Sequence, residues 1–99
     1  MNEIIPINYE NDNPAVSAKD LYDFLELDKS HWTRWYTANI TECSLFEKDI
    51  DYVGFALMAN GNETIDFALT IDMAKELCML CRNDKGKEAR LYFIKEGER

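Results

Sequence analysis

FALTIDMAKELCMLCRNDKGKEARLYFI, from Phe67 to Ile94, contains two helix starts and the apolar stripe that lies between them. Thr70 precedes Ile71, Asp72 and Met73, so a hydroxyl can cap the helix while an acid occupies its first turn, at the positive end of the dipole. Apolar side chains then fall at Met73, Ala74, Leu77, Cys78, Leu80 and Cys81, with Lys75, Glu76 and Met79 elsewhere. Spacings of three and four build one wide stripe that must be buried. Asn83-Asp84-Lys85-Gly86 reads as a turn and a second helix start, and Ala89, Tyr92 and Phe93 continue the apolar face beside Lys87 and Arg90. Residues 70–96 are expected to form a helical hairpin.

Working upstream, Val53, Phe55 and Leu57 alternate with Gly54 and Ala56, and Ile65, Phe67 and Leu69 alternate again after Asn60-Gly61. Asn-Gly between two alternating runs is a strong short hairpin signal, because a type I′ turn needs positive φ at both central residues. A β-hairpin over 52–69 therefore feeds the helix at Thr70, and Glu47 to Tyr52 before it reads as an acidic loop. Two strands alone are marginal, so one side of the hairpin must lie on helices, with Ile4 to Tyr9 as a candidate third strand. Pro6 limits that segment, within residues 1–13, to an edge strand or an extended arm.

Between these parts, residues 16–40 read as two short helices joined by a tight turn. In the first, Ser17 stands three residues before Asp20 as a capping pattern, and Val16 can staple against Leu21. Ala18, Leu21, Phe24 and Leu25 form its buried face, with Lys19, Asp23 and Glu26 outward. Ser30 can cap the second, which carries Trp32, Trp35, Tyr36 and Ile40. This outline is helix-turn-helix-like, and the second helix could present Lys29, His31, Thr33, Arg34 and Thr37 to a major groove. The fold class is thus α+β: about four helices, the helix-turn-helix-like pair plus the C-terminal helical hairpin, packed with a β-hairpin.

With 99 residues and 46% hydrophobic content, residues 1–99 suit a single domain able to bury its own core. No apolar run reaches the roughly 18 residues of a membrane span, and Met1-Asn2-Glu3 lacks the basic start of a signal peptide. Three cysteines cannot all pair within the chain, which fits a reducing compartment, and a cytoplasmic location follows. Charge is unevenly spread: residues 1–69 hold 4 basic and 13 acidic side chains, a balance of −9, whereas residues 70–99 hold 7 and 6, a balance of +1. A chain of net charge −8 binds nucleic acid poorly unless a local basic patch carries the contact, and Arg82, Lys85, Lys87 and Arg90 form the one such gathering.

Catalytic, cofactor and metal sets are not legible. Cys78 and Cys81 form a C-x-x-C that Cys43 and His31 could complete as four zinc ligands, but both lie on an apolar stripe, where cysteine behaves as a small buried hydrophobe. They also lie late in the helix, away from the end whose dipole lowers a thiol pKa. His31 has no serine, cysteine or carboxylate in a triad-like order, and no glycine-rich phosphate loop occurs. The expectation is a protein that is not an enzyme and carries no cofactor.

Leu69-Thr70-Ile71-Asp72-Met73-Ala74-Lys75-Glu76-Leu77, Arg82 to Arg90 and Tyr92-Phe93-Ile94 closely resemble the closing signature of the AntA/AntB family of phage antirepressor N-terminal domains. Val16-Ser17-Ala18-Lys19-Asp20-Leu21-Tyr22-Asp23-Phe24-Leu25 with Trp35 resembles its first half, so the likeness spans roughly residues 14–96. Tyr36-Thr37-Ala38-Asn39 is neutral where family members carry more basic residues, a departure that weakens DNA contact by this helix. The resemblance implies a phage or prophage regulator that binds a repressor or other regulatory protein and relieves repression of lytic genes. Under that reading Asp20, Asp23 and Glu26 form an acidic docking face, with Tyr22 as aromatic anchor beside Trp32, Trp35 and Tyr36. The alternative is sequence-specific DNA binding through Lys29, His31, Thr33 and Arg34, aided by Arg82, Lys85 and Arg90. Self-association into a homo-oligomer suits either reading.

Overall fold

A row of side chains from four different strands, Ile7, Val16, Leu69 and Tyr52, lies across one face of the sheet, and every member is buried. Directly opposed residues share a face, so this row marks the inner side of the sheet. The computed structural model describes residues 5–8, 14–59, 61–81 and 83–97. Among them the strands are β1 (Ile7–Asn8), β2 (Ala15–Ser17), β3 (Tyr52–Ala59) and β4 (Asn62–Thr70), all antiparallel, in the order β1-β2-β4-β3. The helices are α1 (Ala18–Phe24), α2 (Trp32–Tyr36), α3 (Ile71–Met79) and α4 (Asp84–Gly97). The expected α+β class with about four helices holds.

β3 and β4 pair from Tyr52↔Leu69 to Ala59↔Asn62, and between them Gly61 takes the positive φ of 79° that glycine allows without strain; Asn60 lies outside the described residues. β4 runs straight into α3, where Thr70 Oγ1 accepts from Met73 N at 3.1 Å as the expected cap. Met73, Ala74, Leu77 and Cys78 are buried. Leu80, expected on the same stripe, is instead 61% exposed at the C-cap of α3, where its N–H donates to Leu77 O at 3.1 Å. Asn83 Oδ1 accepts from Gly86 N at 2.7 Å to start α4, whose Ala89 and Phe93 enter the core. Gly86 is required by proximity: a Cβ there would stand 2.3 Å from the Cys81 carbonyl oxygen.

The first third departs further from expectation. Val16 is not in a helix but in β2, paired with both Ile7 and Leu69, and α1 is shorter than the expected helix. Ser17 does cap it, accepting from Asp20 N at 3.2 Å. The second helix lacks the expected Ser30 cap: α2 (Trp32–Tyr36) starts after His31 with no side-chain cap bond, and Asp28 instead caps the short turn before it, its carboxylate accepting from Ser30 N and Ser30 Oγ at 2.9 and 2.7 Å. A 3₁₀ turn (Lys29–His31) leads into α2, and a π-helical turn (Thr37–Thr41) follows, placing Ile40 in the core. Pro6 immediately precedes β1, which is an edge strand; Ile4 and Tyr9 lie outside the described residues.

Candidate functional site

Three surfaces emerge around α1, the 3₁₀–α2 segment and β3. The first begins with a buried carboxylate. Asp66 is 4% exposed and accepts from Ser17 Oγ at 2.6 Å, Lys19 N at 3.0 Å and Phe67 N at 2.7 Å. It therefore satisfies an orphan N–H of α1 from across the fold and fixes that helix on the hairpin. Asp20 and Asp23 project from α1 into solvent, and Glu26 follows just past its end, also exposed. The Asp20 carboxyl is raised above the ordinary aspartate value by partial desolvation, then by the negative charges of Asp66 and Asp23. Glu26 holds a left-handed φ of 59°, a position where glycine or asparagine costs less. Asp20 and Asp23 thus lie close enough on α1 to feel each other's charge, with Glu26 exposed just beyond the helix.

Tyr22 is not part of that exposed face. It is 3% exposed, donates its hydroxyl to the Asp28 carbonyl, and packs its ring against Trp32 and Trp35 at 5.2 and 5.1 Å. The expectation of Tyr22 as a surface anchor fails because its ring joins the two helices and its hydroxyl closes the turn between them. Trp32, Trp35 and Tyr36 also pack onto the core, half-buried, and Trp32 Nε1 donates to the Ile65 carbonyl at 3.3 Å.

The second surface carries the residues expected of a groove-reading helix. Lys29, His31, Thr33 and Arg34 are all exposed, and Thr37 is half-buried. Arg82 lies outside the described residues. Lys85 is half-buried, with its ammonium over the Phe24 ring at 4.9 Å and Glu88 at 4.0 Å, and Arg90 is half-buried on α4. Lys85 therefore packs on α1 through its stem and ring contact, in addition to lying near an acid.

Sequence reasoning missed the third surface. An open groove of about 860 Å³ lies between the second helix and the β3–β4 hairpin, lined chiefly by Trp32, Tyr36, Tyr52, Gly54, Phe55 and Phe67. Gly54 opens it: a Cβ there would sit 3.2 Å from the Phe67 ring. The signal was a glycine inside an alternating strand, which marks a close approach. Beside the groove, Val53, Phe55, Leu57 and Met58 are 49, 41, 37 and 67% exposed.

The cysteines are free. Burial pushes the Cys78 thiol up to about 12, the neighbouring Cys81 adding and Arg90 opposing, so Cys78 is a protonated core side chain. Among the described residues His31, Cys43, Cys78 and Cys81 do not gather into a metal-binding group.

An open apolar groove, an acidic helix side and an exposed polar segment are thus the three surfaces of a small α+β module. A family model described as the AntA/AntB antirepressor matches residues 16–83, most of the chain, and the chain belongs to that family, a regulatory rather than a catalytic one. No curated protein and no solved structure matches it. No helix among the described residues is long and apolar enough to cross a membrane.

Proposed function

We propose that the chain is a cytoplasmic, phage or prophage antirepressor that binds a repressor, or another regulatory protein, through the acidic face of α1 and so relieves repression. The observation that carries this reading is that the face is kept at a cost to stability. Asp20 ionises against partial desolvation first and then against the charges of Asp66 and Asp23, and Glu26 occupies a left-handed position that glycine would fill with less strain. Local choices that oppose stability cluster at functional sites. A basic, DNA-facing surface of a repressor would relieve the repulsion among these carboxylates and be steered toward them during encounter. Neutralising Asp20, Asp23 and Glu26 together is the test, read as the association rate with the repressor at low salt. A large drop supports the docking face, and an unchanged rate refutes it.

The exposure of Lys29, His31, Thr33 and Arg34 favours a second reading, direct DNA contact by the 3₁₀–α2 segment. Arg34→Ala would then cost roughly 1–3 kcal/mol at one operator position. Unchanged operator binding would remove that role.

A further inference from the structure

We infer that two copies of this chain join through the free edge of β3, in antiparallel register about Ala56, with Met58 of each copy seated over Gly54 of the other. β3 is the outermost strand of the sheet, and from Tyr52 to Ala59 it carries no charge and no proline. Soluble proteins ordinarily protect such an edge with lysine, proline or a bulge, since its unpaired N–H and C=O groups template another strand. Here three large apolar side chains and Met58 stand exposed along it.

The hydrogen-bond pattern fixes which groups are available. Thr70 N donates to Asp51 O at 3.0 Å, which makes Asp51 and Thr70 a hydrogen-bonded pair. Alternation along an antiparallel ladder then turns the backbone groups of Val53, Phe55 and Leu57 toward β4, and those of Gly54, Ala56 and Met58 toward the open edge. Tyr52 is already engaged, bridging Lys48 and accepting from Asp49 N at 2.7 Å. The free groups are therefore symmetric about Ala56. A two-fold axis there pairs Ala56 with its own copy and Gly54 with Met58 twice, as an isologous interface requires.

Side chains agree with this register. Directly opposed residues share a face, so each Met58 falls on the inner face beside the groove that Gly54 leaves open. Methionine suits such an irregular gap. On the outer face Phe55 meets the partner's Leu57. Self-complementarity selects the second copy as occupant: the register sets each exposed Met58 over the space that Gly54 leaves on the other copy, and β3 carries no charge, so the repulsion between two chains of net charge −8 has no ionised side chain on the strand itself.

Sedimentation equilibrium is the test, and it needs no repressor. The intact chain is expected to show twice the chain mass. Ala56→Pro removes only an outward N–H, a change edge strands tolerate, and should give the single-chain mass with an unchanged far-UV spectrum. Ala56→Cys in a Cys43→Ser background should form an interchain disulfide on mild oxidation, since paired Cα atoms about 5.5 Å apart lie within disulfide reach. A monomeric wild-type chain would overturn the inference, leaving the edge to a strand from another protein. So would a dimer in which Ala56→Cys fails to crosslink.

Discussion

Ser17 Oγ donates to the Asp66 carboxylate at 2.6 Å across 49 positions of sequence, and this bond joins the start of α1 to the middle of β4. The hydroxyl also accepts from Asp20 N at 3.2 Å, so one serine caps its helix while being held by the sheet. Asp66 also accepts from Lys19 N and Phe67 N, and it needs these three bonds where it lies, because a buried carboxylate must have its hydrogen bonds met.

Asp66→Ala should therefore destabilise the fold by about 1–3 kcal/mol, leaving Lys19 N–H and the Ser17 hydroxyl without their acceptor. Asp66→Asn keeps an acceptor and should cost less. Urea unfolding measures both, and an alanine variant as stable as wild type would contradict the cap.

Stability and pH are linked at Asp20. Its folded pKa is raised above the ordinary 3.8, so the folded state binds its proton more tightly than the unfolded chain. Stability from this group consequently falls as pH rises through the window above 3.8 and stays lower at neutral pH. Asp20→Asn should stabilise the protein at pH 7 by up to about 0.5 kcal/mol, the scale of exposed sites. The difference should shrink as the pH is lowered into the aspartate range. Thermal unfolding at the two pH values checks the sign.

Glu26→Gly should likewise raise stability, by up to about 1 kcal/mol, by relieving the left-handed φ of 59°. Chemical denaturation reads the gain. A loss would show that the glutamate side chain makes a stabilising contact that outweighs its backbone strain.

At the α3–α4 crossing the direction reverses. Gly86→Ala places a methyl 2.3 Å from the Cys81 carbonyl oxygen and 3.1 Å from that of Cys78. Backbone must move to admit it, at a cost of about 1–3 kcal/mol. A Tm equal to wild type would mean that the two helices can separate freely.

Cys78, with its thiol pushed up to about 12, should resist iodoacetamide at pH 8 in the folded protein, while half-buried Cys43 and Cys81 react first. All three should label in urea. Peptide mass spectrometry separates the sites, and early modification of Cys78 would contradict its burial.

The C-terminal half was legible because its signals are local. Thr70 caps a helix by its own side chain, and the hairpin closes at Gly61 between two alternating runs without reference to the rest of the chain. β2 was not, since three residues are too few for a period, and Val16 reads equally well as a staple before a helix. The 3₁₀ turn capped by Asp28, which replaces the expected helix start at Ser30, was also obscure, because either residue can cap and the choice depends on where the turn begins. Among the site residues, the exposure of Asp23 followed from helical periodicity; Glu26, expected outward on the same helix, is exposed but lies past the end of α1, and Lys19, also expected outward, is half-buried. The burial of Tyr22 did not, since it depends on Trp32 and Trp35 arriving from the next helix. The groove depends on the distance between α2 and the hairpin, which no local pattern encodes.

Release of a candidate phage repressor from its labelled operator, followed by fluorescence anisotropy, tests the antirepressor account most directly. The chain is expected to leave free operator unchanged and to strip bound repressor, and the Asp20→Asn, Asp23→Asn, Glu26→Gln variant should associate with the repressor at least about tenfold more slowly at low salt. Binding to free operator with a steep salt dependence, and no release of repressor, would contradict it.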